Sequence, residues 1–257
     1  MERNDRYIPG VPCWIDTTQP DPDTGAAFYA ELFGWELEDR MPPGAPGKYY
    51  VARIRGEDVG AVSSQPEGAP EAAVWNTYVW VEDADETADK VRTAGGTVLT
   101  EPFDVPGAGR MATFADPEGA AFCVWQAKEH RGAAVVNEHG SLNFNNLSTR
   151  DLEGAQAFYG AVFGWEAIHD AMWALPGYGD FLEQRNPGMR EGMADMGAPA
   201  IRGRGRERQG HARRRAALGR DLRRRRRRRD RSPGRRAGRD RGRPAVRRPL
   251  GADDGHQ

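Results

Sequence analysis

The chain has 257 residues with 37 Lys/Arg against 38 Asp/Glu, and its net charge of −1 is a cancellation. Residues 1–200 carry 14 basic and 32 acidic side chains (14 − 32 = −18), whereas residues 201–257 carry 23 and 6 (23 − 6 = +17). Two cysteines exclude a disulfide framework, no stretch reaches the roughly 18 apolar residues of a membrane span, and MERNDRYIPG has no apolar signal core, so a cytoplasmic protein is expected.

After a polar tail over residues 1–9, Val11 to Thr18 (VPCWIDTT) is a short apolar run suited to a strand. Pro20 and Asp21 stop it and open a helix, along which Ala26, Phe28, Tyr29, Leu32 and Phe33 follow at helical spacing and read as core. Gly34 is placed to end that helix in a left-handed cap. Three strands are expected next, over Trp35 to Asp39, Lys48 to Ile54 and Asp58 to Ser63. A Pro/Gly/Ala linker leads to the same order again: strand Val74 to Val81, helix Asp83 to Ala94 stopped by Gly95-Gly96, and strands Thr97 to Thr100, Arg110 to Phe114 and Ala120 to Gln126. Residues 10–127 therefore read as an α+β domain of two βαβββ modules. One module of about 60 residues could hardly cover its own sheet, so the two are expected to pair. Cys13 and Cys123 read as small buried hydrophobes.

AFYAELFGWE (Ala27 to Glu36) returns as AFYGAVFGWE (Ala157 to Glu166) at a spacing of 130 (157 − 27), with seven of ten residues identical. Beyond a linker at 128–139, a third βαβββ module is expected to begin with the strand-like GSLNFNNLST from Gly140. It continues through this second helix into strands Trp165 to His169 and Gly179 to Glu183, as a partial second domain over 140–199. An incomplete domain should expose apolar surface from that module and favour association, including homo-oligomers.

The AFYAELFGWE helix, the VEDADET helix entry (Val81 to Thr87), the Gly95-Gly96 stop and FADPEGAAF (Phe114 to Phe122), in this order, resemble the vicinal oxygen chelate superfamily of glyoxalases, bleomycin-resistance proteins and extradiol dioxygenases. More narrowly the chain is similar to the tandem two-domain glyoxalase-like "hydroxylase" group. The resemblance implies paired modules forming an open eight-stranded cup around a small-molecule site. In metal-using members four strands each supply a His or Glu ligand; carried onto this chain, those positions are Trp14, Gly60, Asn76 and Cys123, with Phe144 in the second copy. Trp and Gly cannot coordinate, and one Cys with one Asn does not make a site, so no metal and no other cofactor is expected in the first domain. The same positions imply an aromatic-lined pocket of Trp14, Asn76, Tyr78, Trp80, Phe122, Cys123 and Trp125; for Trp14 and Asn76, core packing is an equal reading. No catalytic residue is assigned.

From about residue 200 the chain becomes IRGRGRERQGHARRRAALGRDLRRRRRRRDR, from which no core can be built. CGN arginine codons in series, read from their second base, become GNC and encode only Val, Ala, Asp or Gly. Read this way, Asp221 to Arg231 permits a counterpart of the Thr77 to Thr87 segment, and Pro244 to Asp254 permits a counterpart of EPFDVPGAGRMAT (Glu101 to Thr113). Residues 200–257 are therefore expected to be a frameshifted, disordered tail. The competing reading is a basic arm that binds nucleic acid through phosphate neutralisation. The functional expectation is a metal-free superfamily member that holds a small organic molecule; the alternatives are a lyase, hydroxylase or dioxygenase acting on a small oxygenated substrate, and nucleic-acid binding through the tail.

Overall fold

Asp21 and Asp83 each end a strand and open a helix 62 residues apart (83 − 21). Asp21 accepts from the Thr24 amide, and Asp83 accepts from the Asp85 and Glu86 amides. This matched capping starts two copies of one unit. In the computed structural model, which describes residues 7–69, 72–169, 172–185 and 187, the first copy comprises β1 (Pro12–Gln19), α1 (Pro22–Phe33), β2 (Glu36–Asp39), β3 (Tyr49–Ile54) and β4 (Glu57–Ser64). The second comprises β5 (Val74–Trp80), α2 (Ala84–Thr93), β6 (Thr97–Val105), β7 (Gly109–Ala115) and β8 (Ala121–Ala127). Contacts divide the chain into units 1–209 and 210–257, and every described residue lies in the first. The calls of a disordered tail at 200–257 and of a second domain reaching 199 fall outside the described residues.

The eight strands form one sheet in the order β2-β3-β4-β1-β5-β8-β7-β6. Each module places its first and last strands side by side in parallel, β1 with β4 and β5 with β8, and the modules meet through the antiparallel β1–β5 pair. The pairings Trp14↔Tyr78 and Asp16↔Asn76 flank Ile15↔Thr77, so an approximate two-fold passes through the centre of the sheet. Gly34 ends α1 at φ 71° and Gly164 ends its repeat at φ 73°, the left-handed cap that glycine adopts without strain.

Strand alternation sends Val79, Ala112, Phe114, Phe122 and Val124 to one face, where α2 covers them with Ala84, Ala88 and Val91. The repeat helix α3 (Leu152–Phe163) joins this layer, burying Ala155, Phe158, Tyr159, Val162 and Phe163. Phe122 is ringed by Phe158, Tyr159 and Phe163 at centroid distances of 6.1, 5.7 and 5.7 Å. Gly96 permits the contact, since a Cβ there would lie 2.7 Å from both the Ala115 carbonyl and the Phe158 ring. The expectation that the third module exposes its apolar face is therefore corrected for its helix: the second module covers it.

Two further expectations change. Gly140 to Thr149 forms no strand, only a bridge between Leu142 and Val136, because no described strand lies beside it as β4 lies beside β1. Gly179 to Glu183 lies in a helix, α4 (Tyr178–Arg185), whose Leu, Glu and Gln are good helix formers. The hairpin β9 (Glu166–His169) and β10 (Met172–Ala174) forms between them. The reading of Phe28 as core also fails: Phe28 is 57% and Leu32 53% exposed, against 2% for Phe158 and 6% for Val162 at the matching positions of α3.

These burials give a paired prediction. Phe158→Ala removes a fully packed ring and is expected to lower unfolding free energy by about 3–5 kcal/mol. Phe28→Ala, in the same helix sequence, should change it by no more than about 0.5 kcal/mol. Urea unfolding of both variants checks this; equal losses would contradict the packing described.

Candidate functional site

Successive strand residues alternate in direction, so the face opposite α1 and α2 receives Trp14 and Asp16 from β1, Tyr49 and Val51 from β3, Ala61 from β4, Tyr78 and Trp80 from β5, and Cys123 and Trp125 from β8. At its centre, beside the two-fold, lies a carboxyl group that is 2% exposed. Asp16 accepts hydrogen bonds from Asn76 Nδ2 at 2.7 Å, Tyr78 Oη at 2.7 Å and Tyr49 Oη at 3.4 Å. Trp14 Nε1 donates to Tyr49 Oη at 3.1 Å, so a chain of polar groups runs Trp14–Tyr49–Asp16 and is met by Tyr78 and Asn76 from the other module.

Burial pushes the Asp16 pKa above the ordinary carboxylate value, and the three donors only partly offset it. Burial first, and then the neighbouring Asp16 charge, holds both Tyr49 and Tyr78 well above the ordinary phenol value. Both phenols therefore stay protonated and keep donating. Tyr49, Asn76, Met111 and Thr113 are only half-buried and form the side of this floor that solvent reaches.

Of the residues predicted for a pocket, Trp14, Asn76, Tyr78, Trp80, Cys123 and Trp125 share this face. Phe122 does not. It precedes Cys123 on β8 and so points to the opposite side, into the layer under α2 and α3. Trp80 lies toward one end, stacked with Tyr7 at 5.9 Å, and Trp125 lies against Gly109, where a Cβ would come within 2.6 Å of the indole. Spacing did not single out Asp16, Tyr49 or His130. Asp16 stands two residues after Trp14 on the same strand, so parity alone could have found it. His130 returns from the linker, its ring 4.5 Å from Trp14 and 5.6 Å from Trp125, and its backbone carbonyl accepts from Trp125 Nε1. Burial lowers the His130 pKa, which favours a neutral ring.

The residues present do not fit a divalent metal. Gly60 is turned away from this face, with its missing Cβ directed at Ile15, and Ala61 takes the place beside Asp16. Burial pushes the Cys123 thiol up to about 12, far from the thiolate a metal needs, and its Sγ lies 3.6 Å from Thr113 Oγ1. Phe144 of the second copy is 51% exposed. Among the described residues no group of three or more His, Cys, Asp or Glu side chains could hold a metal ion, and no helix is long and apolar enough to cross a membrane.

Paired βαβββ modules on one continuous sheet, with a polar floor on the face opposite the helices, define a glyoxalase-like α+β cup. The sequence profile of the Glyoxalase/Bleomycin resistance protein/Dioxygenase superfamily matches residues 14–124, which run from the first cup-facing Trp14 to the last strand. A protein of Mycobacterium tuberculosis that carries a glyoxylase name, CFP32, is 44% identical over 166 residues, covering 64% of each chain. The anthracycline biosynthesis protein DauV of Streptomyces sp. (strain C5) is 40% identical over 192 residues, covering 66% of this chain and 69% of DauV. The Mn(II)-bound glyoxalase from Novosphingobium aromaticivorans aligns with a TM-score of 0.47 at 18% identity, over 65% of this chain and 58% of that one. The chain belongs to the glyoxalase/bleomycin resistance/dioxygenase superfamily, and its matched part spans just under two thirds of the length of CFP32.

The raised Asp16 pKa gives a signed prediction. A carboxyl whose folded-state pKa exceeds its unfolded value contributes stability that is full below the unfolded pKa and is lost as pH rises through the folded one. The thermal midpoint of the chain minus that of Asp16→Asn should therefore fall as pH rises from the ordinary aspartate value of about 4. A difference that is flat or grows with pH would contradict the burial described.

Proposed function

We propose that the first domain binds a small organic molecule in its aromatic-lined cup without a metal. The reading is carried by the Asp16 cluster: the cup floor bears a carboxyl group, two phenols and an amide instead of metal ligands. Such groups recognise hydroxyl, amide or carbonyl functions on an organic ligand, while Trp14 and Trp125 offer surfaces for stacking. The name of the Streptomyces relative places an anthracycline in the panel of candidate ligands.

A second reading is favoured by the same carboxyl. A buried Asp16 with a raised pKa suits general acid–base work on a bound oxygenated substrate, with Tyr49 and Tyr78 as donors to a developing oxyanion. It shares the site and the ligand chemistry of the binding reading and adds proton transfer at the Asp16 carboxyl.

Tryptophan fluorescence of the full chain, titrated with an anthracycline and a panel of phenolic and quinone compounds, tests binding. Saturable quenching is expected for at least one compound, with the affinity at least tenfold weaker in Asp16→Ala. Flat curves across the panel would contradict the proposal. Elemental analysis of the purified chain tests the metal: the expected content is well below one ion per chain, and a stoichiometric, chelator-sensitive ion would overturn the metal-free reading.

A further inference from the structure

The two copies of the AFY…FGWE helix form the same aromatic staircase. Phe28–Tyr29, Tyr29–Phe33 and Phe33–Trp35 have centroid distances of 5.0, 5.9 and 5.1 Å, and their counterparts Phe158–Tyr159, Tyr159–Phe163 and Phe163–Trp165 have 5.0, 6.4 and 5.1 Å. Their surroundings differ. The outer side of α3 is buried by the second module, but the outer side of α1 leaves Phe28 57%, Leu32 53% and the neighbouring Trp75 45% exposed. An apolar stripe on one copy that is core on the other is an incomplete interface.

The helix entry gives a separate observation. On α3, the Glu118 carboxylate from the turn before β8 accepts from the Arg150 and Asp151 amides at 2.9 and 3.3 Å and also bonds the Thr149 hydroxyl. Subtracting 130 maps Thr149, Arg150 and Asp151 onto Gln19, Pro20 and Asp21. On α1 those three, with Thr24, Phe28 and Tyr29, line an open groove of about 420 Å³. The place that the second module fills on one copy is a groove on the other. Pro20 has no amide hydrogen, so an acidic turn residue seated there would find one donor fewer than Glu118 does.

We propose that the outer face of α1 is the docking surface for a fourth βαβββ module of the same kind as the second, encoded in the alternative reading frame that begins near codon 200. The two-fold logic of duplicated units requires it. If modules one and two repeat as three and four, the observed contact of module three on module two implies an equal contact of module one on module four. The alternative-frame counterparts of Thr77 to Thr87 and of Glu101 to Thr113 are segments of a second-type module. CFP32 also continues beyond the 64% of its length that this chain matches. The occupant presents to Phe28 and Leu32 what Phe122 and α2 present to Phe158 and Val162.

The test compares the chain with the product of the gene carrying a single-base correction near codon 200, each with and without Phe28→Asp. In the corrected product Phe28→Asp is expected to lower the thermal midpoint by about 6–12 °C, as loss of a buried ring does, and in the uncorrected chain by less than 2 °C or so. A milder variant, Phe28→Ala, and hydrogen exchange of the α1 amides give the second readout, with protection at least tenfold higher in the corrected product. Small, equal shifts in both proteins would overturn the proposal. So would failure of the corrected product to fold where the uncorrected chain folds, because the added module is held to complete the surface. A concentration-dependent midpoint in the uncorrected chain, lost in Phe28→Asp, would assign the face to a second copy instead. Ligand binding in the cup is read separately by fluorescence, so the two proposals fail independently.

Discussion

A carboxyl group buried at the crossing of two strands needs donors, and the arrangement around Asp16 follows from supplying them. Its own strand cannot do so, because the backbone groups of β1 are engaged with β4 and β5. Each module contributes instead: Tyr49 from the first, and Asn76 and Tyr78 from the second. A buried charge without such partners is strongly destabilising, and a hydrogen-bonded network around it limits how the two modules can be registered. The same network gives the cup a floor that can both donate and accept, with solvent reaching it past Asn76 and Tyr49.

That floor also explains why this domain does not offer the metal chemistry its fold can host. A ligand set would need His or carboxylate groups converging from four strands. Here β1 brings an indole and then a carboxyl already held by three donors, β4 brings Ala61, and β8 brings a thiol kept neutral by burial. The superfamily scaffold remains while its chemistry moves from coordination to hydrogen bonding and stacking. His130, drawn back from the linker to lie against Trp14 and Trp125, adds a neutral aromatic ring to that lining.

Much of the fold was legible because its signals are local. The capping aspartates, the left-handed Gly34 and the alternation of Val, Trp and Tyr placed all eight strands and both helices of residues 10–127. What was not legible depends on partners. Gly140 to Thr149 has the look of a strand but lacks a neighbouring edge, and Phe28 has the look of core but lacks a cover, although Phe158 in nearly the same sequence has one. The site was half legible for a related reason. Counting from the helix caps reached Trp14, Asn76 and Cys123, but it did not track strand parity, so it admitted Phe122 and passed over Asp16. His130 carries no spacing signal at all, since only the path of the linker brings it to the cup.

The account rests on Asp16 being buried, hydrogen-bonded and shifted at the cup floor. Carbon-13 NMR of the carboxyl signals, with the Asp16 resonance assigned by its disappearance in Asp16→Asn, measures this directly. The account predicts a titration midpoint clearly above the ordinary aspartate value of about 4, with a signal that moves when a cup ligand is added. A midpoint at or below that value, unchanged by any ligand that quenches the tryptophans, would contradict it.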